Sequence, residues 1–244
     1  MKEFIDLHCH LLPYVDDGAE DLQEALRLLE ELIRQGADRI CFTPHLREHM
    51  FDTPDNVIQR YFAEVKKKAA DKGLNADLFV SREYHCDRRF FKLLEKKQLM
   101  PMGNGNVVLC EFSHGSEAAF ILKTINTVLR SGYTPLVAHV ERYKVIHEDE
   151  DLLIRMRNAG ALIQMNADAA AGNDGFSQKR FCKKILKKKL VDVIASDAHG
   201  AKYRPPCLAA CADRISKIAG PAYTKKIMNT IPLAILEGQL DRGR

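Results

Sequence analysis

The chain contains no apolar run near the length needed to cross a bilayer, which argues against a membrane-inserted protein. It has no Pro/Gly/Ser-rich linker, no low-complexity tract and no sequence repeat, so its 244 residues read as a single domain spanning 1–244. The start, Met1 to Asp6, carries acids where a signal peptide would need a long apolar segment. The seven cysteines are odd in number and lack a disulfide-framework spacing. Both features predict a cytoplasmic protein whose thiols are mostly small buried hydrophobes. Cys207 and Cys211 are one helical turn apart, but two thiols alone make a weak metal signal. There is no dinucleotide fingerprint and no Walker loop. The net charge of +4 is mild. Its densest part, Lys183-Lys184 with Lys187-Lys188-Lys189, lies on an amphipathic segment running through Phe181, Ile185, Leu186 and Leu190. Without the interleaved aromatics of a nucleic-acid groove, this predicts a solvated helix face and no nucleic-acid partner.

What is present is a strand–helix alternation. Apolar strands are predicted at Phe4 to Leu7, Arg39 to Phe42, Leu78 to Val80, Val107 to Cys110, Leu136 to Ala138, Ala161 to Met165 and Val191 to Ala195. Helices are predicted between them, the clearest through Leu22, Ala25, Leu26, Leu29, Leu32 and Ile33 with Gly36 as a stop. Others are expected from about Asp55 to Lys72, Arg88 to Lys97, Ala118 to Leu129, Leu152 to Asn158, over the lysine-rich segment, and from the last strand to about Gly238. Seven such units argue for a parallel sheet, either doubly wound or closed into a barrel.

The ligand-type residues separate these options. His8 and His10 follow the first strand, His45 the second, Glu83 the third, Glu111 the fourth and His139 the fifth. Asp197 and His199 follow the seventh. An open sheet concentrates its site at one switch point, whereas a barrel gathers residues from every strand end at its mouth. The spread therefore predicts a barrel. In each of the pairs His8/His10 and Asp197/His199, side chains two apart on a strand would point to the same side. Asn166 ends the sixth strand, where a loop-capping role is expected over a contact with the site. His49, His85, His114 and His147 are assigned no role, although His85 and His114 are near enough in sequence to line a pocket.

Ile5-Asp6-Leu7-His8-Cys9-His10, Asp16-Asp17-Gly18, Thr43-Pro44-His45, Glu111-Phe112, His139-Val140-Glu141-Arg142 and Ser196-Asp197-Ala198-His199 together resemble the PHP (polymerase and histidinol phosphatase) superfamily. More narrowly, the chain resembles its bacterial metal-dependent tyrosine-protein phosphatases of capsule and exopolysaccharide synthesis, over nearly the whole length. The resemblance implies a distorted (β/α)7 TIM-like barrel of the α/β class with a trinuclear site. One metal would be held by His8, His10, Glu83 and Asp197. Glu83 would bridge to a second bound by Glu111 and His139, and a third would take His45, His199 and an aspartate of the Asp16-Asp17 pair, Asp17 by alignment. Arg142 and Arg204 match a phosphate-binding pair, with Arg47 a weaker third. The resemblance points to Mn2+; the mixed imidazole and carboxylate set also suits Fe, Co or Zn. The implied partner is a phosphotyrosine-bearing protein, a bacterial tyrosine autokinase. Ser81-Arg82 before Glu83 departs from the family and is expected to alter the pocket rim.

Three divalent ions bring six positive charges and four carboxylates remove four, leaving a site that attracts a phosphate dianion. Hydrolysis is expected by in-line attack of a hydroxide shared between metals, with arginine forks on the phosphate oxygens. Histidinol-phosphate phosphatase or another phosphoesterase of the superfamily is the alternative. One C-x5-R match, Cys41 to Arg47, has the skeleton of a cysteine-dependent phosphatase. Pro44 and the lack of glycine deny it a phosphate-cradling loop, and it is read as chance.

Overall fold

The computed structural model describes residues 3–173 and 175–240. Among the described residues, nine parallel strand segments lie on seven paths: β1 (Phe4–Cys9), β2 (Ala37–Phe42), β3 (His45–Leu46), β4 (Asp77–Val80), β5 (Glu83–His85), β6 (Val107–Glu111), β7 (Thr134–Val137), β8 (Leu162–Asn166) and β9 (Val193–Ala195). Two predicted strands, Arg39 to Phe42 and Leu78 to Val80, form as β2 and β4, and each path resumes after a break in a second short segment that was not predicted. Thr43-Pro44 interrupts β2/β3, where proline offers no N–H, and Ser81-Arg82 interrupts β4/β5. Pairing then runs β1-β2-β4 below the breaks and β3-β5-β6-β7-β8-β9 above them. His8 lies inside β1 rather than after it, and Glu83 opens β5.

The sheet curls until its ends meet. His10 N donates to Ala198 O at 2.8 Å and Asp197 N to His8 O at 2.8 Å, joining β1 to the segment after β9. Beneath that seam the buried Asp6 carboxylate accepts from Ser196 N at 2.8 Å. The predicted barrel is the fold. Ile5, Leu7, Cys41, Val107, Leu109, Leu136, Ala138, Leu162, Val193 and Ala195 form its inner core. Their strand neighbours Phe4, Ile40, Phe42, Val108, Val137, Ile163 and Ile194 belong to the outer core shared with the helices. That alternation is the two-residue period of a strand. On the inner rows, apolar residues give way toward the C-terminal ends to Glu111, Gln164 and Asn166, so the barrel is greasy below and polar at its mouth.

The outer layer comprises α1 (Leu22–Arg34), α2 (Asp55–Asp71), α3 (Arg88–Glu95), α4 (Ala118–Arg130), α5 (Lys144–Glu148), α6 (Asp151–Ala159), α7 (Ala167–Ala171), α8 (Gly175–Lys187), α9 (Leu208–Ala219), α10 (Pro221–Lys225) and α11 (Ile231–Glu237). The short α5 and α7 were not predicted. α1 forms where expected because Ala25, Leu26, Leu28, Leu29 and Leu32 share one buried face. The Asp21 side chain accepts from Glu24 N at 2.8 Å, a cap worth about 1 kcal/mol. From α11, Ile231, Ile235 and Leu236 plug the lower end of the inner core. The lysines of α8 lie on its solvated side, while Cys182, Ile185 and Leu186 are buried. All seven cysteines are free thiols, and six are buried. No helix among the described residues is long and apolar enough to cross a membrane.

Candidate metal centre

At the mouth, imidazole and carboxylate atoms converge. His8 Nε2 lies 3.2 Å from His10 Nε2, 3.2 Å from Glu83 Oε2 and 3.3 Å from Asp197 Oδ1. His10 Nε2 is 3.3 Å from the same glutamate oxygen and 3.5 Å from the same aspartate oxygen. His139 Nε2 lies 2.9 Å from Glu83 Oε1 and 3.7 Å from Glu111 Oε1. On the other side, His45 Nδ1 is 2.9 Å from Glu83 Oε2. His45 Nε2 and His199 Nε2 stand 3.5 and 3.6 Å from Asp17 Oδ1. Donors about 2.1 Å from one ion sit roughly 3.0–3.4 Å from one another, so the spacing suits shared cations. Among the described residues, three sets of ligand atoms lie within 4.8 Å of one another: His10/Asp17/His45/His199, His8/His10/Asp197 and His45/Glu83/Glu111.

A purely hydrogen-bonded polar core accounts for less. Two Nε2 atoms facing each other need a proton on one of them, and buried Glu83 Oε2, His139 Nδ1 and His199 Nε2 have no hydrogen-bond partner among the described residues. Buried polar atoms left so are rare, and multivalent cations would satisfy those that face the cluster. The donor set therefore fits metal ions. Glu83 touches four histidine rings, those of His8, His10, His45 and His139.

The field inside this cluster is strong. Burial resists charge on His8 and His45, but Glu83 outweighs it, with Asp197 for His8, and pushes them up to about 9 and about 10. Burial likewise resists ionisation of Glu83 and Asp197, yet the surrounding histidines hold both carboxyls well below the usual range. His199 goes the other way: burial and the adjacent His10 drive it down to about 2.

Supporting groups fix the donors. Asp16 accepts from His10 Nδ1 at 2.7 Å and from His45 N at 2.9 Å, so its carboxylate is engaged behind the rings while Asp17 faces the cluster. Gly18 lies against His10: a Cβ there would come 2.0 Å from His10 O, which only glycine avoids. His139 and Asp197 hold left-handed backbones at φ 32° and 50°, conformations costly for non-glycine residues. Asp197 and His199 thus lie beyond β9 in an irregular segment that bridges to Cys9 through Ala198; the expected strand alternation does not aim them.

Three groups at the site were missed or misread in the sequence. Gln164 Oε1 accepts from His139 N at 2.6 Å and lies 3.3 Å from His8 Nδ1. Asn166 Nδ2 donates to Asp197 Oδ2 at 2.6 Å and makes no side-chain cap on α7, correcting the capping expectation. His85 Nδ1 lies 3.0 Å from Glu111 Oε2, orienting that carboxylate. The two-residue period of β8, which sets Gln164 and Asn166 on the same row as Leu162, was a signal for both, since polar residues in an otherwise apolar strand need a reason to be there.

Arg142 Nη2 and Arg204 Nη1 each lie 3.1 Å from Asp197 Oδ2, at the edge of the cluster. They border a cavity of about 660 Å³ that His114 also lines. Arg47 is half-buried in a turn whose N–H donates to Phe51 O at 2.9 Å. Cys41 is locked in β2, paired with Phe79 of β4, and burial pushes its thiol far up. The C-x5-R match forms no phosphate loop. His49 is exposed, and His147 Nε2 donates to Glu141 O at 2.6 Å. Arg82 corrects the rim expectation. Its side chain is fully buried and donates to Thr53 O at 2.9 Å, Asp55 Oδ1 at 2.9 Å and His45 O at 2.8 Å.

A sequence model of the family described as capsular polysaccharide synthesis, CpsB/CapC, matches residues 4–237. The chain is 34% identical over 210 residues to the tyrosine-protein phosphatase CpsB of Streptococcus agalactiae, covering 84% of this chain and 86% of that protein. It is 31% identical over 241 residues to CpsB of Streptococcus pneumoniae, covering 97% and 99%. Among solved structures, one from a study of YwqE from Bacillus subtilis and CpsB from Streptococcus pneumoniae, described as unique metal-dependent tyrosine phosphatases, superposes with a TM-score of 0.90. It shares 25% identity and covers 97% of this chain and 95% of that one.

Proposed function

Because the chain belongs to the CpsB/CapC family of capsular polysaccharide synthesis proteins, we propose that it is a metal-dependent protein-tyrosine phosphatase, a single barrel domain acting in the cytoplasm. Its substrate is a phosphotyrosine-bearing protein, a tyrosine autokinase of capsular or exopolysaccharide synthesis. The observation that carries the reading is the convergence on Glu83 of His8, His10, His45 and His139 within 2.9–3.3 Å.

In this reading His8, His10, Glu83 and Asp197 hold one ion, Glu83 with Glu111 and His139 a second, and Asp17, His45 and His199 a third. His10 and His45 lie close enough to a neighbouring set to be shared with it. Manganese is the metal proposed. When bound, such ions polarise phosphate oxygens and lower the pKa of a coordinated water toward neutrality. The chain's own residues do the rest. Arg142 and Arg204 offer guanidinium forks to the phosphate and stabilise charge on its oxygens as the ester bond breaks. Asp197, which both arginines touch, keeps them aimed at the mouth. Asn166 and Gln164 hold Asp197, His139 and His8 in place, the preorganisation that a charge-stabilising site needs. A tyrosyl leaving group has a pKa of about 10 and departs with less proton assistance than an alkyl alcohol.

The test is metal-stripped protein assayed with and without added Mn2+ on a phosphotyrosine peptide and on histidinol phosphate. Manganese-restored release from the peptide supports the reading. Preference for histidinol phosphate keeps the barrel and the metals but moves the function to small molecules. No turnover of either by metal-loaded protein overturns it.

A further inference from the structure

The groups described so far hold a phosphate without regard to what it is attached to. Selection of an aryl ester therefore needs a surface for the ring. Beside Arg142 and Arg204 the cavity of about 660 Å³ is also lined by His114, His147, Gln178 and Tyr203. Tyr203 is 74% exposed. Its ring centroid lies 5.5 Å from Arg204 Cζ, and the same guanidinium reaches Asp197 through Nη1 at 3.1 Å. The loop bearing it is tied to the cluster, since His199 N donates to Arg204 O at 3.1 Å. His147, another ring in the lining, is already stacked on Phe181 at 4.0 Å.

Single exposed rings are ordinary on protein surfaces. This one is distinguished by its place: next in sequence to a phosphate-facing arginine, against its guanidinium, on the wall of the cavity beside the metal centre. We propose that Tyr203 is a specificity-determining residue whose ring packs against the phenyl ring of the bound phosphotyrosine. The inference rests on the phosphatase reading above. A phosphate gripped by Arg142 and Arg204 carries its ring one ester linkage away in the cavity that Tyr203 lines, and aromatic rings attract at centroid separations of roughly 4.5–7 Å. An alkyl phosphate gains nothing from that wall. The aromatic pair predicts a preference of roughly three- to tenfold.

The test measures binding, so it does not depend on turnover. Metal-loaded wild type, Tyr203→Ala and Tyr203→Phe are titrated calorimetrically with phenylphosphonate and methylphosphonate. Wild type is expected to favour phenylphosphonate. Tyr203→Ala should weaken that ligand roughly three- to tenfold with methylphosphonate unchanged, and Tyr203→Phe should bind both like wild type. Equal effects on both ligands, or none on either, overturn the proposal. Failure to hydrolyse phosphotyrosine would instead strike the phosphatase reading and is scored separately by the peptide assay.

Discussion

His10 Nδ1 and Asp16 Oδ2 are 2.7 Å apart, and an ionised carboxylate can only accept, so this bond fixes a proton on Nδ1 and makes Nε2 the nitrogen turned toward Glu83 and Asp197. Burial resists it, but the His10 charge holds the Asp16 carboxyl well below its ordinary value. Such carboxylate–histidine pairs set the tautomer and basicity of a metal-ligating ring. Asp16→Asn is therefore expected to keep the fold and lower Mn2+ affinity by about 10–100-fold. Calorimetric titration of the folded variant checks this; unchanged affinity would remove Asp16 from the supporting role.

Glu83 is the group whose loss should be most costly to the metal centre. Glu83→Gln keeps the volume but removes the charge that four rings converge on. Metal content by elemental analysis should fall below that of wild type by at least one ion per chain, and activity by about 100-fold or more. Circular dichroism should remain barrel-like, because Glu83 packs no helix. Full metal content in the variant would displace Glu83 from the centre of the proposed site.

The barrel and most of its mouth were legible because two signals coincide: short apolar strands at regular spacing, and a ligand-type residue at nearly every strand end. The period-2 row that placed Leu109 inside also placed Glu111 there. What stayed hidden depends on contacts distant in sequence. Gln164 reaches His8 and His139, residues 156 and 25 positions away; its place in β8 marks it as a polar residue on an inner row but not which rings it meets. Arg82 read as a rim substitution because its neighbour is Glu83. In the structure its side chain turns away beneath the His45–Asp55 segment. The strand breaks at Thr43-Pro44 and Ser81-Arg82 were likewise unreadable in full: proline marks the first, while the second is set by packing.

Arg82 gives a stability prediction. Its guanidinium joins His45 O, Thr53 O and the Asp55 carboxylate, and burial pulls its pKa below that of a free arginine despite Asp55. Arg82→Met leaves two backbone acceptors without that donor, a cost of about 2–3 kcal/mol. The melting temperature should drop by roughly 4–12 °C. Because the Arg82 contact holds the backbone of His45, Mn2+ affinity should fall as well. A stable variant with normal affinity would show that the surrounding segment is held by other contacts.

Cys41→Ser distinguishes metal from thiol chemistry. The thiol is enclosed in β2 and burial pushes its pKa far above that of a reactive cysteine. Turnover should stay within about twofold of wild type, with at most a modest stability cost of about 1–2 kcal/mol for a buried hydroxyl. Abolished turnover in a folded Cys41→Ser protein would count against the metal reading.

The opposed pKa shifts give the metal-free protein a distinct pH profile. His8 and His45 are raised to about 9 and about 10, above their unfolded value near 6.5. A raised pKa contributes stability that is fully present below the unfolded value and lost as pH rises through the folded one. Glu83 and Asp197 are depressed, so their contribution is present above about pH 4 and lost as pH falls. Metal-stripped protein should therefore melt highest between about pH 5 and pH 7 and weaken toward pH 10. Divalent cations compete with the His8 and His45 protons for the same nitrogens, so affinity should rise with pH and binding should release protons at pH 7.5. Melting curves with and without saturating Mn2+ across pH 6–9 read both effects together. The gap between the two curves should widen with pH; a constant gap would mean that neither ring gives up a proton to metal.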